Sequence, residues 1–310
     1  LKFTSGIRAI LQDSKGNYWF GSHQEGICKY DGSSFTYFTT KDGLPGNQII
    51  ALNEDSYGNI CISTNNGLCT IVDSIIKLII PITSSNYPIT NVKVSRNDIW
   101  ASYGTDYIKT EKNRTILLEN PFIQLNVKNP KDYGITCFTN GKNDNVWIGT
   151  YSGVIGYNGK FHTKISDSTL GYDGKDEYMH VRSILEDSKG RLWIGNNGIG
   201  ILLKQGDSIV NFSKKHQLYK GTPFTNPALY GTLMHVFSIS EDKNGNIWFG
   251  DRDTGAWMYD GKTMTNLVVD SLLKSQHVWS IYNDKNGNLL FGMAEKGVYR
   301  YSENKFERVF

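Results

Sequence analysis

One nine-residue string recurs along the chain and limits what it can fold into. Residues 13–21 read DSKGNYWFG, 187–195 DSKGRLWIG, 242–250 DKNGNIWFG and 284–292 DKNGNLLFG. A weaker copy, DSYGNICIS, occupies 55–63, and only the second half survives in DIWAS at 98–102 and DNVWIG at 144–149. With the tryptophan position as marker, the copies stand at Trp19, Cys61, Trp100, Trp147, Trp193, Trp248 and Leu290, between 39 and 55 residues apart. Seven copies fill the chain. Units of this length belong to arrays or closed rings, because one unit cannot bury its own apolar face.

Each copy reads as a set of short strands. HVRSILED (180–187) and HVFSISED (235–242) alternate and carry β-branched residues, as a strand with two different faces does. The Asp-x-x-Gly that follows is turn chemistry, with Asp bonding its own backbone and Gly taking positive φ. The Trp-bearing segment is a second strand whose indole packs between sheets. A further Gly opens a third strand in GICKY (26–30), GAWMY (255–259) and GVYRY (297–301). Asp31-Gly32, Asn158-Gly159 and Asp260-Gly261 read as two-residue hairpin turns into a fourth strand, as in SSFTYF (33–38) and NKFERVF (304–310). No capped amphipathic helix stands out.

Four antiparallel strands per repeat, seven times over, predict an all-β fold: a single seven-bladed β-propeller over 1–310. The expected blades are 1–40, 41–80, 81–128, 129–174, 175–228, 229–270 and 271–310. The third repeat is the most degenerate, with a shortened first turn and an early Gly104. The last repeat has its own fourth strand, so blades one and seven should meet face to face, with Leu1–Thr4 as the remnant of an outer strand.

Composition narrows the function classes. Lys and Arg number 33 against 30 Asp and Glu, a balance that supplies no broad positive field for nucleic acid or anionic lipid. The most apolar stretch, 71–82, is broken by Asp73 and Lys77, so no direct membrane insertion is expected. Four cysteines are too few for a disulfide scaffold and read as small buried apolar residues. The chain starts at Leu1 without an initiator Met, which reads as a processed or trimmed piece of something longer.

The repeat unit, seen in DGLPGNQIIALNEDSYGNI (42–60) and DSKGRLWIG (187–195), resembles the two-component regulator propeller repeat. That repeat is best known from periplasmic sensor portions of bacterial hybrid two-component systems. The resemblance implies a periplasmic, extracellular or cell-surface bacterial module that binds a ligand or a protein, often for carbohydrate-derived signals. It identifies a scaffold and no substrate.

Three histidines share one repeat position, thirteen residues before the marker: His180, His235 and His277. Other blades hold Gly6, Gln48 and Gly134 there. The loops entering this sector, 162–179 and 212–234, are the longest in the chain, and long loops in a compact repeat are more often functional than accidental. Three readings stay open for the histidines: buttressing a neighbouring loop, pointing into a channel mouth to contact ligand, or forming a three-histidine metal site. Asp251 and Arg252, Glu295, Tyr151 and Asn197 lie in loops expected on the same face and complete the candidate ligand-binding set. His23 and Glu25 offer charge in blade one, and Tyr172, Tyr178, Phe224 and Tyr230 add aromatic surface from the long loops. The calcium-like Asp242-Lys-Asn244-Gly-Asn246 lacks the distal bidentate Glu and is better explained as a hairpin. Asn113-Arg-Thr115 and Asn211-Phe-Ser213 are glycosylation sequons by pattern only.

The reading is a non-enzymatic recognition or sensor module that uses no cofactor. Its partner is a small-molecule or oligosaccharide ligand, or a partner protein, with no nucleic acid. Two alternatives remain. One is a metal-dependent enzyme resembling the streptogramin B lyases, with His235 or His277 as base and Glu295 or Asp251 on the metal. The other is a structural scaffold for protein interaction.

Overall fold

The repeated Asp explains where each hairpin closes. In blade one, Asp13 Oδ1 accepts the N–H groups of Lys15 (3.0 Å) and Asn17 (2.8 Å), while Oδ2 accepts Asn17 Nδ2 and Trp19 Nε1, both at 2.8 Å. One carboxylate thus fixes the turn and satisfies the buried indole. Asp187 and Asp242 repeat this with Trp193 and Trp248. Burial pushes the Asp13 and Asp187 carboxyls up, but the bonds from Trp, Asn or Arg outweigh it and hold both below the ordinary carboxylate range. Where Leu290 replaces the tryptophan, the Tyr18 hydroxyl donates to Asp284 Oδ2 instead, at 2.6 Å. The calcium-like Asp242 is spent in the same way on its hairpin.

The computed structural model describes residues 1–81, 89–95, 98–103, 106–111, 114–122, 134–172, 177–220 and 231–310. Seven four-stranded antiparallel sheets, each paired in chain order, make a seven-bladed β-propeller. The first strands are Ile7–Gln12, Ile49–Glu54, Ile89–Ser95, Ile135–Asn140, Val181–Glu186, Val236–Glu241 and Val278–Asn283. The chain falls into two compact units: Leu1–Asn120 with Asp284–Phe310, and Pro121–Asn283.

The Gly that ends each Trp-x-Gly string lets blades pack closely. A Cβ on Gly195 would sit 2.8 Å from Val236 Cγ1, and one on Gly250 2.7 Å from Val278 Cγ1. The fully buried valine that opens the next blade therefore fills the space a side chain would take. A second link joins neighbours at the strand ends. Glu54 Oε1 accepts the Ser14 N–H at 2.9 Å, and Glu241 Oε2 accepts the Ser188 N–H at 2.6 Å. Gln12 takes the same role in blade one, accepting the Lys285 N–H of blade seven at 2.9 Å. Phe310 completes that contact, its ring 4.8 Å from Phe20 and 5.4 Å from Tyr18.

Several local expectations need correction. Leu1–Thr4 is not a strand: Phe3 is buried against Tyr37, and Glu25 accepts the N–H groups of Thr4 and Ser5. The turns at Asp31, Asn158 and Asp260 are not two-residue hairpins. The flanking strands end at Tyr30, Tyr157 and Tyr259 and resume at Phe35, Phe161 and Met264. Asp31 Oδ1 bonds the N–H groups of Ser33 and Ser34, and Asp260 Oδ1 those of Lys262 and Thr263, so the side chain holds the loop open before pairing restarts. The 162–179 loop is also shorter than read, because Phe161–Ser166 is the fourth strand of blade four. Short helices, Asp167–Leu170 and Phe212–Lys215, begin the two long connections. Cys28, Cys61, Cys69 and Cys137 are free thiols, and burial pushes the first three up to about 11, 11 and 12. Gly104, the Asn113 sequon's first residue, Phe224 and Tyr230 lie outside the described residues.

Candidate functional site

The three histidines stand directly before the first strands of blades five, six and seven, all in the second unit. Arg182, Phe237 and Trp279 stand two residues after these histidines, Arg182 and Phe237 at β-bulges; His180 and Arg182 both meet Tyr151, and His277 stacks on Trp279.

His235 is the most enclosed. It is 2% exposed, its N–H donates to Asp251 Oδ2 at 3.0 Å, and its Nδ1 lies 2.9 Å from Asn197 Oδ1. Asn197 reaches both neighbours, because its own N–H donates to the His180 carbonyl at 2.9 Å and it bridges His235 as an isolated antiparallel pair. Gly198 and Gly200 both donate to the Met234 carbonyl, which stitches the blade-five loop onto the entry of blade six. His235 is thus tied by side chain and backbone to the blade-five loop.

Asp251 is fully buried and occupied. Its Oδ1 accepts the N–H groups of Asp253 (2.8 Å) and Thr254 (2.9 Å), and Oδ2 that of His235. Burial raises its carboxyl to about 6 against the pull of these bonds, with the Asp253 charge adding to the rise. Asn196 holds the same place in blade five, its Oδ1 accepting the His180 N–H at 3.2 Å. Arg252 is tied to Asp253 through Nε (3.0 Å) and a terminal nitrogen (2.8 Å), and Asp253 Oδ2 lies 3.9 Å from His235 Nε2.

His180 and His277 face aromatic surface instead. The His180 ring is 4.9 Å from Tyr151, which is 39% exposed. Burial, then the Arg182 charge, then His235 push His180 down to about 4, so it is neutral at pH 7. His277 stacks on Trp279 at 4.1 Å, and Phe237 meets both edge-on at 4.9 and 5.5 Å. Arg182 lies between Tyr151 and Phe237, its guanidinium carbon 5.7 and 5.1 Å from their ring centres. Arg182, Phe237 and Trp279, all half-buried, were missed by reading the histidines alone. The signal was present in the i+2 position of each histidine strand.

The structure thus brings together Tyr151, His180, Asn197, His235, Asp251 and Arg252 in one connected group, with His277 joined through Phe237. Glu295 belongs to the first unit, in the blade-seven loop between Leu289–Met293 and Val298–Ser302. Among the described residues, no group of three or more His, Cys, Asp or Glu is arranged to hold a metal ion. A concavity of about 340 Å³ lies between the connection that follows blade four and the last hairpin of blade five, lined by Thr169, Leu170, Tyr172, Asp207, Ile209 and Asn211. Beside it Lys214 pairs with Glu177 at 2.7 Å and lies over Tyr172 and Tyr219.

Four segments, 3–24, 177–198, 231–253 and 272–295, match the family model of the two component regulator propeller. The chain carries two-component regulator propeller repeats. Three of the four matched segments each contain one of the three histidines. An 88-residue stretch is 31% identical to histidine kinase P4 of Formosa agariphila, and covers 28% of this chain and 6% of that kinase. The propeller superposes with a TM-score of 0.70 on the extracellular domain described as that of a hybrid two component system, BT4673, from B. thetaiotaomicron. The identity is 22%, over 96% of this chain and 38% of that one. It also resembles virginiamycin B lyase from Staphylococcus aureus, at 16% identity and a TM-score of 0.71, over 96% of this chain and 95% of the lyase. At these identities the likeness to solved structures is one of fold. The chain spans little more than a third of the BT4673 ectodomain, and no helix among its described residues is long and apolar enough to cross a membrane.

Proposed function

We propose that this propeller is a non-enzymatic, extracytoplasmic recognition module of a bacterial sensor. It binds a ligand, with an oligosaccharide as the favoured class, at the strand entries of blades five to seven. The observation that carries this is the row Tyr151–Arg182–Phe237–Trp279 with His180 and His277. Half-buried rings and one cation stand side by side where a core would hold aliphatic side chains. Aromatic faces next to planar polar side chains suit the apolar faces and hydroxyls of a sugar ring. The repeat family and the similarity to a histidine kinase support the sensor assignment, and the likeness to the BT4673 extracellular domain supports an extracytoplasmic position.

A lyase-type reaction is the second reading, favoured by the fold shared with virginiamycin B lyase. It finds less support in the site, where the Asp251 carboxylate is already engaged by three backbone N–H groups. A thermal-shift screen against oligosaccharides and divalent cations separates the two. A ligand present at about 100 times its Kd stabilises by roughly 2.7 kcal/mol. A sugar that raises Tm and is recovered unchanged supports recognition, and metal-dependent consumption of a ligand supports the enzyme. A flat panel removes the small-ligand reading and leaves protein docking.

A further inference from the structure

Arg182 carries a charge that the described residues do not neutralise. Arg191 pairs with Asp187 at 2.6 Å and Arg252 with Asp253 at 2.8 Å in the same unit. Among the described residues no carboxylate pairs with Arg182, which lies against the rings of Tyr151 and Phe237 and hydrogen-bonds the Tyr151 side chain. Its Nε is buried without a hydrogen-bond partner, and so is Nε2 of His180 two residues upstream. A guanidinium does not shed its proton to escape burial. Two aromatic rings and the Tyr151 side chain hold this half-buried cation but do not cancel its charge, which leaves it open to an anion from elsewhere.

We propose that Arg182 is the anchor for a carboxylate group of the ligand, with Tyr151, Phe237 and Trp279 contacting the body to which that carboxylate is attached. This deepens the recognition reading above and rests on it. The single positive charge, beside a neutral imidazole, calls for a single negative one. A planar two-oxygen anion matches the guanidinium fork with two parallel hydrogen bonds, and the idle His180 nitrogen lies in the same group. Sugar acids and simple organic acids share this chemistry.

The test is calorimetric titration of the full chain at pH 7 with D-galacturonate, D-galactose, galactose 6-sulfate and benzoate, on wild type, Arg182→Gln and Arg182→Lys. Binding of an acid at least tenfold tighter than of galactose, lost at least tenfold in Arg182→Gln and partly kept in Arg182→Lys, is the expected result. Preference for galacturonate identifies a sugar acid, and preference for benzoate an organic acid. Arg182→Met should melt no lower than wild type without ligand, because it removes an uncompensated charge. Failure of both acids to bind, tighter binding of the sulfate ester, or a marked fall in the Tm of Arg182→Met overturns the assignment. Tighter binding of galactose than of either acid also overturns it while leaving the recognition reading in place, whereas consumption of a probe overturns that reading itself.

Discussion

At Gly6 and Gln48 in the first unit, and at His180 and His235 in the second, the residue before the first strand makes the same backbone bond. Its carbonyl accepts the N–H of the residue just past the second strand. The donors are His23 (3.0 Å), Asn65 (3.1 Å), Asn197 (2.9 Å) and Arg252 (2.9 Å). Glycine, glutamine and histidine all serve, so the repeat does not need an imidazole to enter a blade. What differs is the surroundings. Gly6 has φ +83°, and a Cβ there would sit 2.9 Å from the Ala294 backbone, while Gln48 Nε2 lies 3.4 Å from His23. The histidines instead meet Tyr151, Asn197, Phe237 and Trp279. The second unit has thus put extra chemistry onto a position that the first leaves plain.

The largest effect should come from moving that chemistry across. Gly6→His forces a side chain into positive φ and onto the Ala294 backbone, and should cost at least about 3 kcal/mol in urea unfolding. Gln48→His should stay within about 1 kcal/mol, and equal losses at the two sites would break the comparison. Next in size is the pH response. Asp251 is raised to about 6 in the folded chain, so its contribution is present below about 4 and is lost as pH rises to 6. His180 is lowered to about 4, so its contribution is present above about 6.5 and is lost as pH falls to 4. The two oppose each other. Relative to wild type, Asp251→Asn should therefore tilt the stability profile upward with pH by roughly 2–3 kcal/mol across 4–6, and His180→Ala should tilt it downward. Parallel profiles in denaturant titrations at several pH values would contradict both assignments. The smallest contrast lies between two histidines at pH 7. His235→Ala should lose roughly 2 kcal/mol, because it empties a buried site and leaves Asn197 Oδ1 without its partner. His180→Ala should lose under about 1 kcal/mol, because it also removes an unsatisfied nitrogen.

Much of the fold could be read from local chemistry. Asp13, Asp187, Asp242 and Asp284 close their own hairpins within four residues, and Trp19, Trp193 and Trp248 return to the same carboxylates, so the repeat reveals itself in the sequence. The links between blades are less visible. The Glu241–Ser188 and Gln12–Lys285 bonds join residues far apart in the chain, and nothing near Glu241 announces its partner. The site divides in the same way. The shared histidine position was legible from spacing, as was the presence of Asn197 and Arg252 in adjoining loops. The burial of Asp251, the pairing of Arg252 with Asp253 and the setting of Arg182 between Tyr151 and Phe237 depend on neighbouring blades. No local pattern encodes them.

The central claim is that the strand entries of blades five to seven recognise a ligand and do not merely brace the fold. Calorimetric titration of oligosaccharides into wild type and into a His180→Ala, His277→Ala double variant tests it most directly, with melting followed alongside. The account predicts saturable binding to wild type with the ligand recovered unchanged, and at least tenfold weaker binding to a variant whose Tm has moved little. Undiminished affinity in the variant, or a collapse of its Tm, would place the histidines in the scaffold and contradict the account.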